Sequence, residues 1–177
     1  MNTIYTIGHS TRTMKDMIDI LKHYQIDTLV DVRHFPHSRH NPQFNKENFE
    51  KELPANGIDY LWLERLGGFR KGGYKKYTKT GDFTEGLKKL EEIIKKRNSA
   101  IMCAERFFWR CHRRYIAEKL VSKKFNIIHI LDIKQLYEHK KSEDLNEKMK
   151  VKIFCDKRSR LKLNQTPLPC KYIVLEG

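Results

Sequence analysis

The sequence lacks any long apolar segment. No stretch of its 177 residues approaches the roughly 20 apolar residues that a helix needs to cross a bilayer. The first ten residues, MNTIYTIGHS, have neither a basic leader nor a small-residue cleavage site, which argues against a signal peptide. We therefore expect a cytoplasmic protein with no membrane partner.

Cysteine is scarce, and its spacing matches no familiar metal motif. The four cysteines are Cys103, Cys111, Cys155 and Cys170, and their positions fit neither a zinc ribbon nor a zinc finger. In a cytosolic chain such cysteines are more often reduced than bridged. From the sequence we expect no metal site and no cofactor.

Acidic residues are missing from two stretches of a chain whose formal net charge is +14. Residues 32–46 (VRHFPHSRHNPQFNK) and 65–81 (RLGGFRKGGYKKYTKTG) contain no Asp or Glu and interleave aromatic residues with cations. Lys and Arg neutralise phosphates while aromatic rings stack on bases, so this mixture favours a nucleic acid as partner. We expect DNA rather than RNA; the alternative is a merely solubilising surface.

Short apolar runs alternate with longer amphipathic ones along most of the chain. This alternation predicts an α/β fold of three layers, with a mostly parallel twisted sheet and helices on both faces. The predicted strands are 3–8, 28–33, 58–63, 99–105 and 126–132, and the predicted helices are 14–24, 46–57, 82–97 and 111–124.

The last part of the chain has a different pattern. We expect residues 1–133 to form an α/β core, and residues 134–177 to form a C-terminal extension packed on the same domain. Residues 134–149 read as a polar helix. The apolar runs 151–155 and 170–176 pair as a hairpin or extend the sheet; the sequence leaves both open.

The ends of the predicted strands indicate where a ligand should bind. In an open parallel sheet, ligands bind beyond the carboxyl ends of the strands. Those ends are followed by residues 8–10, 31–39, 63–68 and 103–106. Both acid-free stretches are therefore predicted to lie on the same rim as Cys103 and Glu105.

Four motifs carry a family resemblance. TIGHSTRT, LVDVRHFPHSRHNPQFN, LGG and MCAERFFWRCHRRYIAEKL, in this order, resemble the DUF488 family (domain of unknown function 488) over roughly residues 3–131. The resemblance implies an α/β three-layer fold and no settled reaction. The motif positions present are Gly8, His9, Ser10, Asp31, Arg33, Pro36, Ser38, Asn41, Phe44, Asn45, Gly67, Gly68, Cys103, Glu105, Cys111, His112 and Arg113.

The catalytic candidates are Asp31, Glu105, Cys103 and His9. Asp31 and Arg33 alternate around Val32 at a strand end, so both are expected to project into the cleft. There Asp31 would do acid, base or electrostatic work. The alternative is a structural Asp–Arg pair that fixes the loop.

Cys103 has two interpretations. A cysteine between a strand end and a helix start is the geometry of thiol enzymes that bind an oxyanion. The loop after it contains no glycine, however, and a buried cysteine at a strand end is also an ordinary core residue. The arginines at positions 113 and 114 indicate a corner that holds an anion.

The leading hypothesis is an enzyme acting on nucleic acid, with DNA base excision or base modification (DNA glycosylase-like, in DNA repair) as the reaction. The alternatives are a thiol-dependent sulfurtransferase- or phosphatase-like enzyme using Cys103, and a non-catalytic nucleic-acid-binding module. The residues expected to contact the polymer are Arg33, Arg39, Asn41, Phe44, Asn45, Arg70, Lys71, Tyr74, Lys75, Trp109, Arg110, His112 and Arg113.

Overall fold

A computed structural model describes residues 3–140 of the chain. The strands are β1 (Thr3–Gly8), β2 (Thr28–Asp31), β3 (Asp59–Trp62), β4 (Ser99–Cys103), β5 (Asn126–Asp132) and β6 (Gln135–Glu138). The helices are α1 (Met14–His23), α2 (Lys46–Ala55), α3 (Tyr74–Tyr77), α4 (Gly81–Lys96) and α5 (Arg113–Ser122).

Within residues 3–140 the strands form one sheet of six, in the order β3-β2-β4-β1-β5-β6. The first five are parallel to their neighbours, and β6 runs antiparallel to β5. The predicted fold class, an α/β protein with a mostly parallel sheet, is confirmed. The predicted bounds of β1 and β5 are also those observed.

Helices cover both faces of the sheet. One hydrophobic cluster joins α1 and α2 to residues of the strands such as Leu29 and Met102. The other joins α4 and α5 to their sequence neighbours Val30 and Ile101. Successive strand residues therefore enter opposite clusters, as the alternation of a pleated strand requires. The core is split into two layers by the sheet.

Local sequence signals explain where the helices begin. Thr13 precedes α1, and its hydroxyl accepts a hydrogen bond from the backbone N–H of Asp16, whose carboxylate accepts one from the Thr13 backbone in return. This reciprocal pair is the capping box. Thr80 caps α4 in a simpler way, since its hydroxyl accepts from the backbone of Phe83.

The predicted helix over 134–149 is wrong where the structure describes it. Residues 135–138 form β6, because Leu136 and Tyr137 are buried against the sheet and the segment pairs with β5. The core sheet therefore extends to Glu138. The remainder of that predicted helix and the predicted hairpin of 151–155 with 170–176 lie outside the described residues.

Helix α5 begins two residues later than the sequence indicates. Residues 108–110 form a 3₁₀ turn, so Cys111 and His112 lie in the junction that leads into α5 rather than inside the helix. Across residues 3–140, no helix combines the length and apolar character needed to cross a membrane.

Candidate active site at the switch point of the sheet

The sheet has a point where its connections change direction. From β1 the chain passes through α1 to β2, toward the β3 edge of the sheet. From β4 it passes through α5 to β5, toward the β6 edge. The ends of β1 and β4 are adjacent, and the pairing continues past them: the His9 N–H donates to the Cys103 carbonyl at 2.9 Å. Such a switch point is where open α/β sheets bind ligands.

A cavity of about 570 Å³ lies at this point. Its volume falls within the range of small-molecule sites. The lining combines polar, thiol and cationic side chains from the loops after β1, β2, β3 and β4: His9, Ser10, Thr11, Ser38, Asn41, Gly68, Phe69, Cys103, Ala104, Glu105, Arg106, Arg110, Cys111 and His112.

Gly8 permits the backbone crossing beneath the cavity. A Cβ at this position would lie 1.9 Å from the carbonyl oxygen of Glu105, closer than atoms can approach. The loop after β4 therefore passes directly over the end of β1 because the residue there has no side chain.

Two thiols and an imidazole converge at the inner part of the cavity. The Nδ1 atom of His112 lies 3.7 Å from Cys111 Sγ and 3.9 Å from Cys103 Sγ. All three ligand-type atoms lie within 4.8 Å of one another. Cys103 ends β4 and Cys111 precedes α5, so the strand and the helix bring together residues that the sequence separates.

The second nitrogen of His112 fixes the tautomer of its ring. Nε2 lies 2.8 Å from the carbonyl oxygen of Val32, which can only accept a hydrogen bond. Nε2 therefore carries the proton, and in the neutral ring Nδ1 presents its lone pair to the two sulfur atoms. Nδ1 can take a proton from a thiol or coordinate a cation.

Arg113 supports the sulfur of Cys111. Its backbone N–H and its Nε–H donate to Cys111 Sγ at 3.5 and 3.4 Å, and its guanidinium also donates to the carbonyl oxygen of Glu105. Arg113 is buried, so solvent screens its charge only weakly. The hydrogen bond with Cys103 and the charge of Arg113 lower the pKa of the Cys111 thiol below its ordinary value, against the opposing effect of burial.

The pKa of the Cys103 thiol is shifted in the opposite direction. The hydrogen bond with Cys111 and burial raise the pKa of Cys103 above its ordinary value. Cys111 is the sulfur better placed to carry a negative charge, because both Arg113 donors reach it. The alternative hypothesis of a thiol enzyme named Cys103 as the nucleophile, whereas the Arg113 donors are directed at the sulfur of Cys111.

Asp31 and Arg33 form a buried ion pair. Their side chains are 0% and 4% exposed, and Asp31 accepts from the backbone N–H, Nε and Nη2 of Arg33. Tyr60 donates its hydroxyl to the same carboxylate at 2.7 Å. Burial would lower the pKa of Arg33, but the hydrogen bonds and charge of Asp31 raise it above its ordinary value.

The expectation that Asp31 and Arg33 project into the cleft is wrong. They do share one side of the strand, opposite Val32, but that side is covered by Phe44, Phe49 and Tyr60. Phe49 lies under the guanidinium, 5.6 Å from ring centroid to Arg33 Cζ. Both side chains lie outside the cavity lining. The geometry matches the structural interpretation of the pair.

His9 lines the cavity as a neutral ring. Arg33 Nη1 lies 3.4 Å from its Nε2, and Nδ1 lies 2.9 Å from the carbonyl oxygen of Ser10. Because a guanidinium donates and a carbonyl accepts, Nδ1 carries the proton. Burial, with the charge of Arg33, lowers the pKa of His9 to about 4, although the Ser10 hydrogen bond opposes this.

Phe69 belongs to the cavity lining and forms an exposed aromatic pair with Phe35. Phe69 is 86% exposed and Phe35 is 63% exposed, with ring centroids 6.1 Å apart. Phe69 has φ of +59°, a left-handed conformation that is unfavourable for a bulky residue. Local strain of this kind persists where the surrounding structure imposes it, often at binding sites.

Four predicted nucleic-acid contacts are corrected by burial. Arg33, Phe44, Tyr74 and Arg113 are buried and cannot touch a polymer. Tyr74 donates its hydroxyl to the Leu66 carbonyl, which holds the 65–81 loop in place. His112 is half-buried and faces the thiols.

The other predicted contacts remain accessible to different degrees. Arg39, Lys71, Lys75 and Arg110 are exposed. Arg70 is half-buried: it donates to the carbonyls of Gly67 and Glu64 and lies over the Tyr77 ring, so it holds its own loop. The remaining members are half-buried: Asn41 in the cavity lining, Asn45 as the acceptor of the Ser38 N–H, and Trp109 stacked on Phe107.

Sequence reasoning missed three features of the site. Phe69 was visible only as one aromatic residue in a basic loop, and its exposure depends on the backbone of that loop. Gly68 faces His112: a Cβ there would lie 2.7 Å from Nδ1. Arg106 lines the cavity and pairs with Asp132 at 3.5 Å. Of these three features, only Gly68 could have been found from the sequence, since the adjacent glycines of the LGG motif indicate close approach of the backbone.

Comparison with known proteins gives a family. The model of the family described as "Domain of unknown function DUF488" matches residues 13–120, more than half of the chain. The chain belongs to the DUF488 family. No curated protein and no solved structure gives a match. The DUF488 match covers the loops after β2, β3 and β4, which supply most of the cavity lining.

Proposed function

We propose that this DUF488 protein is an enzyme that acts on nucleic acid, DNA in preference to RNA, and removes or modifies a base held in the switch-point cavity. The observation that carries the proposal is the exposed, left-handed Phe69 at the mouth of a cavity of about 570 Å³. Enzymes that act on a base take it out of the stack and hold it against aromatic side chains.

Positive charge around the mouth supports binding of a phosphate backbone. Arg110 is exposed in the cavity lining, and Arg39, Lys71 and Lys75 are exposed in the two acid-free stretches that contribute Ser38, Asn41, Gly68 and Phe69 to that lining. Cations on such loops bind phosphates with a strong dependence on salt, because counterions are released. Each contact contributes about 0.9 to the slope of log affinity against log salt.

Of the two candidate carboxylates named from the sequence, Glu105 and not Asp31 has the catalytic role in this proposal. It is the carboxylate in the cavity lining, it is exposed, and one of its oxygens accepts a hydrogen bond from the Phe107 backbone N–H at 3.3 Å. Cleavage of a glycosidic bond passes through an oxocarbenium-like state that a nearby carboxylate stabilises. Asp31 has its oxygens occupied by Arg33 and Tyr60. In the proposal Glu105 acts on the base or its sugar, and Asp31 holds the fold.

Binding of labelled single-stranded and duplex DNA to the wild type and to Phe69→Ala tests the proposal. Base–aromatic stacking contributes about 1–3 kcal/mol per base, so the variant should bind roughly 5- to 150-fold more weakly. Phe69→Tyr is the matched control, since it keeps the stacking surface and should retain affinity. Equal affinity of Phe69→Ala and the wild type would contradict the stacking of a base on Phe69.

A second candidate is a thiol enzyme that acts on a small anion. It is favoured by the two Arg113 donors directed at Cys111 Sγ, with His112 Nδ1 at 3.7 Å as a proton acceptor. A small anion releases few counterions, so its binding would depend weakly on salt, whereas a polymer gives a steep slope. Measuring binding across a series of salt concentrations separates the two functions.

A further inference from the structure

We propose that Cys103, Cys111 and His112 bind one Zn²⁺ ion through the two Sγ atoms and Nδ1, with the fourth coordination position on the cavity side. The inference rests on the arrangement of the ligands and goes beyond the proposed function, since it holds for any substrate. It also reverses the expectation, drawn from cysteine spacing, that the chain has no metal site.

The separations of the ligand atoms fit a tetrahedral ion. With Zn–S of about 2.3 Å and Zn–N of about 2.0 Å, tetrahedral S and N ligands lie roughly 3.6 Å apart. The observed distances from His112 Nδ1 are 3.7 Å to Cys111 Sγ and 3.9 Å to Cys103 Sγ. All three atoms lie within 4.8 Å of one another. Small rotations of the side chains suffice to close the site on an ion.

The imidazole is already oriented as a ligand. Metal-bound histidines usually donate their second ring N–H to a carbonyl or carboxylate, which fixes the ring and its tautomer. His112 does so through Nε2, 2.8 Å from the Val32 carbonyl oxygen at the end of the neighbouring strand. The Nδ1 lone pair is consequently directed at the sulfurs before any ion arrives.

The surroundings of the sulfurs fit coordinating thiolates. Two thiolates cancel the charge of Zn²⁺, and the buried Arg113 donates to Cys111 Sγ as a partner hydrogen-bonded to a ligand. Gly68 lies against Nδ1, where a Cβ would lie 2.7 Å from that atom. A glycine at this position keeps the ligand atom accessible.

The composition of the site selects the metal. Two thiolates and one imidazole suit zinc, and catalytic zinc sites have three protein ligands and leave the fourth position open. All three residues line the cavity, so water or a substrate atom can occupy that position. Glu105 lines the same cavity and can exchange a proton there.

Metal binding to the full chain tests the inference without any assay of activity. The background is the Cys155→Ser/Cys170→Ser protein, which keeps only the two proposed cysteine ligands. Reduced apoprotein is titrated with Zn²⁺ against a chromogenic chelator, and with Co²⁺ while the visible spectrum is recorded. We expect one ion per chain, with thiolate-to-cobalt charge transfer and the d–d bands of a tetrahedral ion.

Variants in the same background assign the ligands. Cys103→Ser, Cys111→Ser and His112→Gln should each bind Zn²⁺ at least about 100-fold more weakly, since loss even of a group that supports a ligand costs 10- to 100-fold. His37→Asn, at an exposed histidine on the 32–46 loop, is the matched control and should bind as the background does. Circular dichroism checks that each variant is folded.

A readout on the unsubstituted chain does not depend on how the variants fold. Zn²⁺ should protect Cys103 and Cys111 from alkylation by iodoacetamide, as located by peptide mass spectrometry, and a chelator should reverse the protection. Stoichiometric zinc that is insensitive to all three substitutions would overturn the assignment. Equal alkylation of both cysteines with and without Zn²⁺, or no ion bound by the folded background protein, would overturn the site itself.

Discussion

Replacing Asp31 by Asn should destabilise the protein strongly. The carboxylate is fully buried and accepts hydrogen bonds from three donor groups of Arg33 and from the Tyr60 hydroxyl. Asn keeps the shape but removes the charge, and its NH₂ group would face donors. Removing one partner of a buried ion pair costs about 3–5 kcal/mol, because the other charge is left uncompensated.

This loss is a large part of the total stability of a domain, which is typically 5–15 kcal/mol. Urea unfolding followed by circular dichroism gives the free energy of unfolding of each variant. Asp59→Asn is the matched control: Asp59 pairs with Arg97 at 3.2 Å, but the two side chains are 57% and 55% exposed. Exposed pairs contribute about 1 kcal/mol or less, so this control should remain close to the wild type.

A double variant separates a structural role from a chemical one. Asp31→Leu combined with Arg33→Met removes both charges, and should be more stable than Asp31→Asn, since apolar replacement of a buried pair is often neutral or favourable. A free energy of unfolding for Asp31→Asn within about 1 kcal/mol of the wild type would refute the reasoning. Loss of turnover in such a stable variant would return Asp31 to the catalytic residues.

Two further predictions concern the residues at the end of β1. Gly8→Ala should lower the free energy of unfolding, measured in urea, by roughly 3 kcal/mol or more, because its Cβ would lie 1.9 Å from the Glu105 carbonyl oxygen. Gly81→Ala is the control: its Cβ would meet nothing within 4 Å, so it should not destabilise the protein. His9 has its pKa lowered to about 4 by burial, against an unfolded value of 6.5, so the unfolded state takes up a proton first as the pH falls. The stability that the neutral His9 ring contributes is therefore present above pH 6.5. Thermal unfolding should show a loss of about 2 kcal/mol of folding stability between pH 7 and pH 5. His9→Asn should flatten this dependence and His37→Asn should not; identical pH profiles for both would contradict the buried neutral ring.

The regular elements of the core could be read from the sequence because their burial leaves a local pattern. β1 and β5 are apolar runs between polar turns, and both were bounded correctly. β6 was missed because QLYE is short and flanked by charged residues, and its strand conformation comes from pairing with β5. Pairing partners distant in sequence leave little trace in a four-residue segment.

The candidate site was located by the strand ends but its chemistry was not. Alternation placed Asp31 and Arg33 on one side of the chain correctly, yet no local pattern showed that Phe49 would cover that side. Cys111 and His112 come into contact with Cys103 across a strand-to-helix junction, so their spacing resembles no short motif. Contacts of this kind are set by tertiary packing alone.

The most direct test of the account is base release or base modification by the wild type and by Glu105→Gln. A panel of normal and damaged-base DNA, single-stranded and duplex, is incubated with each protein, and free bases, abasic sites and altered nucleosides are measured by mass spectrometry. We predict a product with the wild type, and a rate roughly 10²- to 10⁴-fold lower for Glu105→Gln with DNA affinity retained. No product from any substrate, or equal rates for the two proteins, would contradict a base-directed reaction at Glu105.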